Sequence, residues 1–227
     1  LHTYFIEFEA QLMELQDEIF SLADTKKFLG YFPDNITAYF SSNMTKDDAK
    51  LVDKFVVAKG LEGWNTMATK CNDGTYVIKI ASIEEHSNDA EIFEDNKFIV
   101  QYGNFSVELS KLNEYLSHAS NFCSNETQAK MLEAYQTHFR TGNLNDHKES
   151  QRFWVKDKMP PVETNIGFIE NYRDPSGMRS EFESFVAMVD KEKTRAFQKL
   201  VELAPDFLSL LPWPREFEKD VFNPPDF

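Results

Sequence analysis

Residues 162–189 read VETNIGFIENYRDPSGMRSEFESFVAMV, two β-forming runs around a turn with a definite chemistry. Asp174-Pro175-Ser176-Gly177 puts Asp at the first turn position, Pro with its pre-set φ at the second and Gly at the fourth. Alternation along the first run sends Phe168, Glu170 and Tyr172 to one side and Ile169, Asn171 and Arg173 to the other. The return strand, Glu181 to Val189, is dense in Phe, Val and Met. A β-hairpin is therefore expected, with a carboxylate and a phenol on one face of a rigid strand. That pair can hold an ammonium and a carbonyl oxygen side by side.

Outward from the hairpin, the chain mixes helical and strand signals. Tyr4 to Leu22 places Phe5, Phe8, Leu12, Leu15 and Ile19 near helical spacing, which predicts an amphipathic helix packing on a core. Asn35 to Ser41 alternates as a short strand. Thr45 followed by Asp48 is a capping signal for a helix that Gly60 terminates, with Val52, Phe55, Val56 and Leu61 as its buried stripe. Asn72-Asp73-Gly74 divides Asn65 to Ala81 into a hairpin, and Thr75 to Ile80 is a run of β-formers. The acidic stretch Glu84 to Asp95 reads as a solvated loop, and Lys97 to Phe105 as a strand.

Ser106 to Phe122, Ser124 to Arg140 and Asn145 to about Lys158 are predicted helices, the last closed by Met159-Pro160-Pro161. Helix resumes at Lys191, with Phe197, Leu200, Val201, Leu203 and Leu208 on its apolar side and a break at Pro205. Pro212-Trp213-Pro214 and Asn223-Pro224-Pro225 predict an extended tail. Without regular βαβ alternation the class is α+β: helices around a small β-barrel or a strongly bent mixed sheet.

Bulk properties narrow the function. The 227 residues are 41% hydrophobic, with 21 Phe, enough for a substantial core. Thirty-eight acidic against 24 basic residues leave a formal charge of −14, which argues against nucleic acid and anionic membranes and favours amine-bearing ligands. No apolar run approaches the roughly twenty residues of a membrane span. Cys71 and Cys123 are too few for a disulfide framework and read as reduced thiols of a cytoplasmic protein. Sequons stand at Asn35, Asn43, Asn104 and Asn125, but no signal peptide is visible.

NIGFIENYRDPSG followed by EFESFVA resembles the dipeptidyl peptidase III family, zinc exopeptidases that remove dipeptides from peptide N-termini. NITAYFSSNMTKDDAKL, RFWVKDKMPPVE and LPWPREFEKDVFNPPDF are similar to the same family in the same order, and the likeness is weakest from about Ile83 to Asn121. The resemblance implies most of the lower lobe of a two-lobed peptidase over residues 1–190, with residues 191–227 crossing into a helical upper lobe. It also implies that Glu170 binds the substrate's terminal ammonium. Tyr172 is implied to bind substrate and to stabilise the scissile carbonyl oxygen as it gains charge. Read by strand physics alone, Glu170 is a surface carboxylate paired across the strands and Tyr172 a rim residue with its ring in the core.

Arg173, facing the opposite way, is expected to support the site by pairing with Glu183 or Asp174. The family's zinc motif, HExxGH, has no counterpart among His2, His86, His118, His138 and His147, which read as surface or helix-face residues. The resemblance therefore implies zinc held by residues outside this chain. The chain is expected to be one piece of an enzyme, inactive alone, whose partners are short peptides and the rest of the same polypeptide. The alternative is a non-catalytic peptide-binding or scaffold module that keeps the fold.

Overall fold

The structure, a computed structural model, describes residues 2–219 and 221–223, with side chains from residue 8 onward. The side chains of His2 and Phe5 and the Pro224-Pro225 end of the expected tail lie outside the described residues. The class is α+β, as expected. Its larger sheet is four-stranded and mixed, and the described strands close no barrel, so the mixed sheet holds and the barrel does not.

That sheet begins with β1 (Thr66–Lys70) and β2 (Tyr76–Ala81), an antiparallel hairpin whose turn is closed by the Cys71 N–H donating to the Thr75 carbonyl at 2.8 Å. Gly74 occupies the left-handed conformation that this turn requires, with φ +87°. The expected solvated loop contains an edge strand, β3 (Glu91–Phe93), antiparallel to β4 (Asn96–Asn104), and β4 runs parallel to β2. Glu94 and Asp95 both adopt positive φ, 43° and 61°, to make that hairpin. Glu94 is a poor left-handed residue and no glycine stands at either position, which hid the turn.

Helix α1 (His2–Ile19) precedes the one-turn α2 (Asp24–Lys27), and α3 (Lys46–Ala58) covers the sheet. The capping box that starts α3 is formed: Asp48 N–H donates to the Thr45 hydroxyl, and Asp48 Oδ2 accepts from Thr45 N–H at 2.8 Å. Asp48 also takes hydrogen bonds from Lys70 and Tyr76. Burial alone would raise its carboxyl pKa, but the Lys70, Tyr76 and Thr45 hydrogen bonds hold it down at about 2. Val52, Phe55 and Val56 are fully buried, and Phe55 stacks on Phe98 at 4.1 Å. Asn35 to Ser41 is not a strand: only Phe40 makes a bridge, to Ala68 of β1.

Helices α4 (Ser106–Ser120), α5 (Glu126–Thr141) and α6 (Leu144–Trp154) pack a second core with β5 (Val162–Phe168). Asn125 caps α5, and Gly142, at φ +76°, ends it. β5 pairs antiparallel with β6 (Phe182–Met188), confirming the expected hairpin. β5 is mostly buried, whereas Phe182, Phe185, Val186 and Met188 of β6 are exposed. α7 (Lys191–Glu202) and α8 (Ala204–Leu208) break at Leu203, and Pro205 starts the second piece. Their apolar stripe is exposed at Phe197, Leu200 and Leu203, as is that of α1 at Phe8, Leu12, Leu15 and Ile19, so α1 does not meet the expectation of core packing.

Candidate functional site

The hairpin ladder continues two residues past β5. Ile169 N–H donates to the Glu181 carbonyl at 3.0 Å, and Glu181 N–H donates to the Glu170 carbonyl at 2.8 Å. Beyond Glu170 the chain curls. Asp174 N–H reaches the Asn171 carbonyl at 3.2 Å, and the Asn171 amide donates to the Gly177 carbonyl at 2.6 Å. The expected Asp-Pro-Ser-Gly turn follows, with Gly177 N–H on the Asp174 carbonyl at 2.8 Å.

Tyr172 therefore lies in a turn, not on a strand, and strict alternation fails there. Tyr172 and Arg173 both line a cleft of about 1050 Å³, together with Phe168, Phe182, Tyr39, Phe105 and Glu181. Arg173 was expected to face away from Tyr172 and to pair with Glu183 or Asp174. It pairs with Glu181 instead, Nε to Oε1 at 2.9 Å. Glu183 sits opposite Gly167 in the ladder, and Asp174 has other partners. Glu170 is exposed at the base of the loop, outside the cleft lining. Neither the Glu170 carboxylate nor the Tyr172 hydroxyl has a hydrogen-bond partner among the described residues, so both are uncommitted.

The loop is held from beneath by residues that strand alternation did not single out. Arg179, 0% exposed, pairs with Asp53 of α3 at 2.9 Å and with Asp174 at 3.5 Å, and its guanidinium lies 4.5 Å from the centre of the Phe40 ring. Asp174 also accepts from the backbone N–H groups of Ser176, Met178 and Arg179 at 3.1, 3.1 and 2.7 Å. Tyr31 adds a hydroxyl contact to Ser176 at 2.9 Å. The usable sequence signal was the short acid-to-base spacing from Asp174 to Arg179, legible only if the loop were already known to fold on itself.

Behind β5 stand two histidines, expected on a surface or a helix face, that lie on helices and are buried. His138 of α5 and His147 of α6 have ring centroids 5.2 Å apart, and His138 Nδ1 is 3.0 Å from the Asn143 carbonyl. Burial pushes His138 down to about 4 despite that hydrogen bond; burial and the neighbouring His138 push His147 to about 4. The His147 ring fills the space where a Cβ on Gly167 would fall, 2.8 Å from Cε1, which explains glycine at that point of β5. Among the described residues no three His, Cys, Asp or Glu side chains are grouped to hold a metal ion, so these residues do not fit a zinc site. No helix of the described residues is long and apolar enough to cross a membrane.

The hairpin thus presents an exposed carboxylate and phenol on a clamped loop beside a cleft. Residues 11–227 match the model for Peptidase family M49, and the chain belongs to that family. It is 41% identical over 210 residues to dipeptidyl peptidase 3 of Dictyostelium discoideum and 41% identical over 223 residues to that of Homo sapiens. Each match takes in 92% of this chain but 30% of the relative, so the chain spans about 30% of the length of these curated relatives. The fold is similar to dipeptidyl-peptidase III from Corallococcus sp. strain EGB, with a TM-score of 0.50 and 20% identity over 80% of this chain and 30% of that one. For DPP III from Caldithrix abyssi the TM-score is 0.51, at 17% identity over 83% of this chain and 33% of that one.

Proposed function

We propose that this chain is the substrate-holding part of a zinc-dependent exopeptidase that releases dipeptides from the N-termini of short peptides, in the cytoplasm. Family membership and the names of its relatives support the reaction class, and the two free cysteines suit a reducing compartment. In this reading zinc is held by residues outside the chain. Residues 1–190 form most of the lower lobe, and the exposed apolar stripe from Lys191 onward meets the remainder of the polypeptide.

The observation that carries the reading is the placement of Glu170 and Tyr172, exposed and uncommitted on a loop that Arg179 anchors to α3. Glu170 accepts the terminal ammonium through charge-assisted hydrogen bonds and so counts substrate from its amino end. Tyr172 donates to the carbonyl oxygen as negative charge develops there. Arg173 and Glu183 support the hairpin, Arg173 across the loop and Glu183 on β6.

Tyr172→Phe in the complete polypeptide tests this. Turnover of a dipeptidyl substrate should fall roughly a hundred- to a thousand-fold while ground-state binding changes far less. An unchanged turnover number makes the hydroxyl a packing feature and favours a non-catalytic binding module.

A further inference from the structure

Beside Tyr172 the cleft wall holds a group whose chemistry is incomplete. The Tyr39 hydroxyl is buried and has no hydrogen-bond partner among the described residues. A buried donor left unmade is costly, and such orphans in folded proteins call for an explanation. The Tyr39 backbone is fixed by β1, with Ala68 N–H donating to its carbonyl at 2.8 Å, so the partner must come to the ring. The nearby candidate is Glu181, which lines the same cleft and is engaged by Arg173 at 2.9 Å. Arg173 itself is 64% exposed and free to turn toward a ligand.

We propose that Arg173 binds the carboxylate of a dipeptide in this cleft, and that Tyr39 is its positioning residue, donating its hydroxyl to Glu181 when Arg173 turns to the ligand. The inference rests on the peptidase reading above. Hydrolysis of a peptide bond at the carbonyl that Tyr172 touches leaves a carboxylate there, and Arg173 is the next residue of the same turn. A guanidinium matches the two oxygens of a carboxylate with parallel N–H groups. Leaving Glu181 would ordinarily strand that carboxylate at the cleft wall, and the waiting phenol removes this penalty. Burial first, then the charges of Glu181 and Asp174, push the Tyr39 pKa up to about 12, so the hydroxyl remains a donor at physiological pH.

The test is equilibrium binding of the dipeptide Gly-Phe and of its C-terminal amide to the complete polypeptide. Arg173→Gln should weaken the acid about tenfold and the amide less than about twofold, since a charge-assisted bidentate contact is lost only for the acid. Tyr39→Phe should leave the melting temperature of the free protein unchanged or higher. It should also weaken the acid roughly threefold to tenfold, and this loss should be absent in a Glu181→Ala background. Equal losses for acid and amide, or none, in Arg173→Gln overturn the carboxylate assignment. A lower melting temperature with unchanged acid affinity in Tyr39→Phe makes that residue structural only. If the unmodified protein binds neither dipeptide, the peptidase reading itself fails, an outcome distinct from the other two.

Discussion

Arg173 and Arg179 stand on one loop, and the fold uses them in opposite ways. Arg179 is fully buried between Asp53 and Asp174 and over the Phe40 ring, while Arg173 is 64% exposed and pairs with Glu181. The buried guanidinium has lost its water, so its two carboxylates and the aromatic face must offset that loss and fix a single geometry. The exposed one remains solvated, contributes little to folding, and keeps its freedom to meet a ligand. A loop that presents reactive side chains beside a cleft needs both: an anchor that does not move and a contact that can.

Substituting the anchor should produce the largest effect. Arg179→Met keeps much of the volume but leaves Asp174 and Asp53 facing each other without a counter-charge. A buried pair broken from one side typically costs about 3–5 kcal/mol. Urea unfolding of the chain should show that loss in its midpoint. A stability within about 1 kcal/mol of the parent would mean that the backbone N–H groups on Asp174 hold the loop unaided.

The contrast also explains what was legible in advance. The α+β class, the capping box at Thr45, the Asn72-Asp73-Gly74 turn and the β5–β6 hairpin all rest on local signals, and all are present. The edge strand β3 escaped because its turn uses Glu94 and Asp95 in left-handed conformations with no glycine to announce it. Alternation assigned Tyr172 and Arg173 to opposite faces, but pairing ends at Glu170 and a turn brings both to the cleft. Burial of Arg179, His138 and His147 depends on partners far along the chain or on helix packing, which residue spacing on a single element does not encode.

Acid should separate the loop from the strand that carries it. The loop is clamped by Arg179, whereas β5 is backed at Gly167 by His147 and its neighbour His138, both kept neutral by burial. Their folded pKa values, about 4, lie below the ordinary 6.5, so the unfolded chain binds the extra protons. Their contribution is then complete above pH 6.5 and is lost as pH falls toward 4. The slope is on the order of 1.4 kcal/mol per histidine for each pH unit in that window. Stability measured from pH 7 to pH 4 should fall accordingly, and His147→Gln should flatten part of that slope. An unchanged slope in the variant would remove His147 from the account.

Glu170 tests whether the loop, once anchored, reads the amino end of a ligand. Glu170→Gln keeps the shape and removes the charge, and should cost on the order of 1.5–3 kcal/mol in binding a peptide with a free amino terminus. An N-acetylated peptide should be indifferent to the change. Equal weakening of both peptides would return Glu170 to the role of an ordinary surface carboxylate.

The smallest expected effect is on the stability of the free protein when Arg173 is changed. Its pair with Glu181 joins a side chain 64% exposed to one 31% exposed, and such pairs are screened by water and salt. Removing it also frees Glu181 to accept the Tyr39 hydroxyl, which offsets part of the lost contact. Arg173→Gln should therefore shift the unfolding free energy by less than about 1 kcal/mol, and the shift should shrink further in high salt. A loss approaching that of Arg179→Met would erase the distinction between the two arginines. It would show that the whole loop, and not its buried end alone, is held by charge.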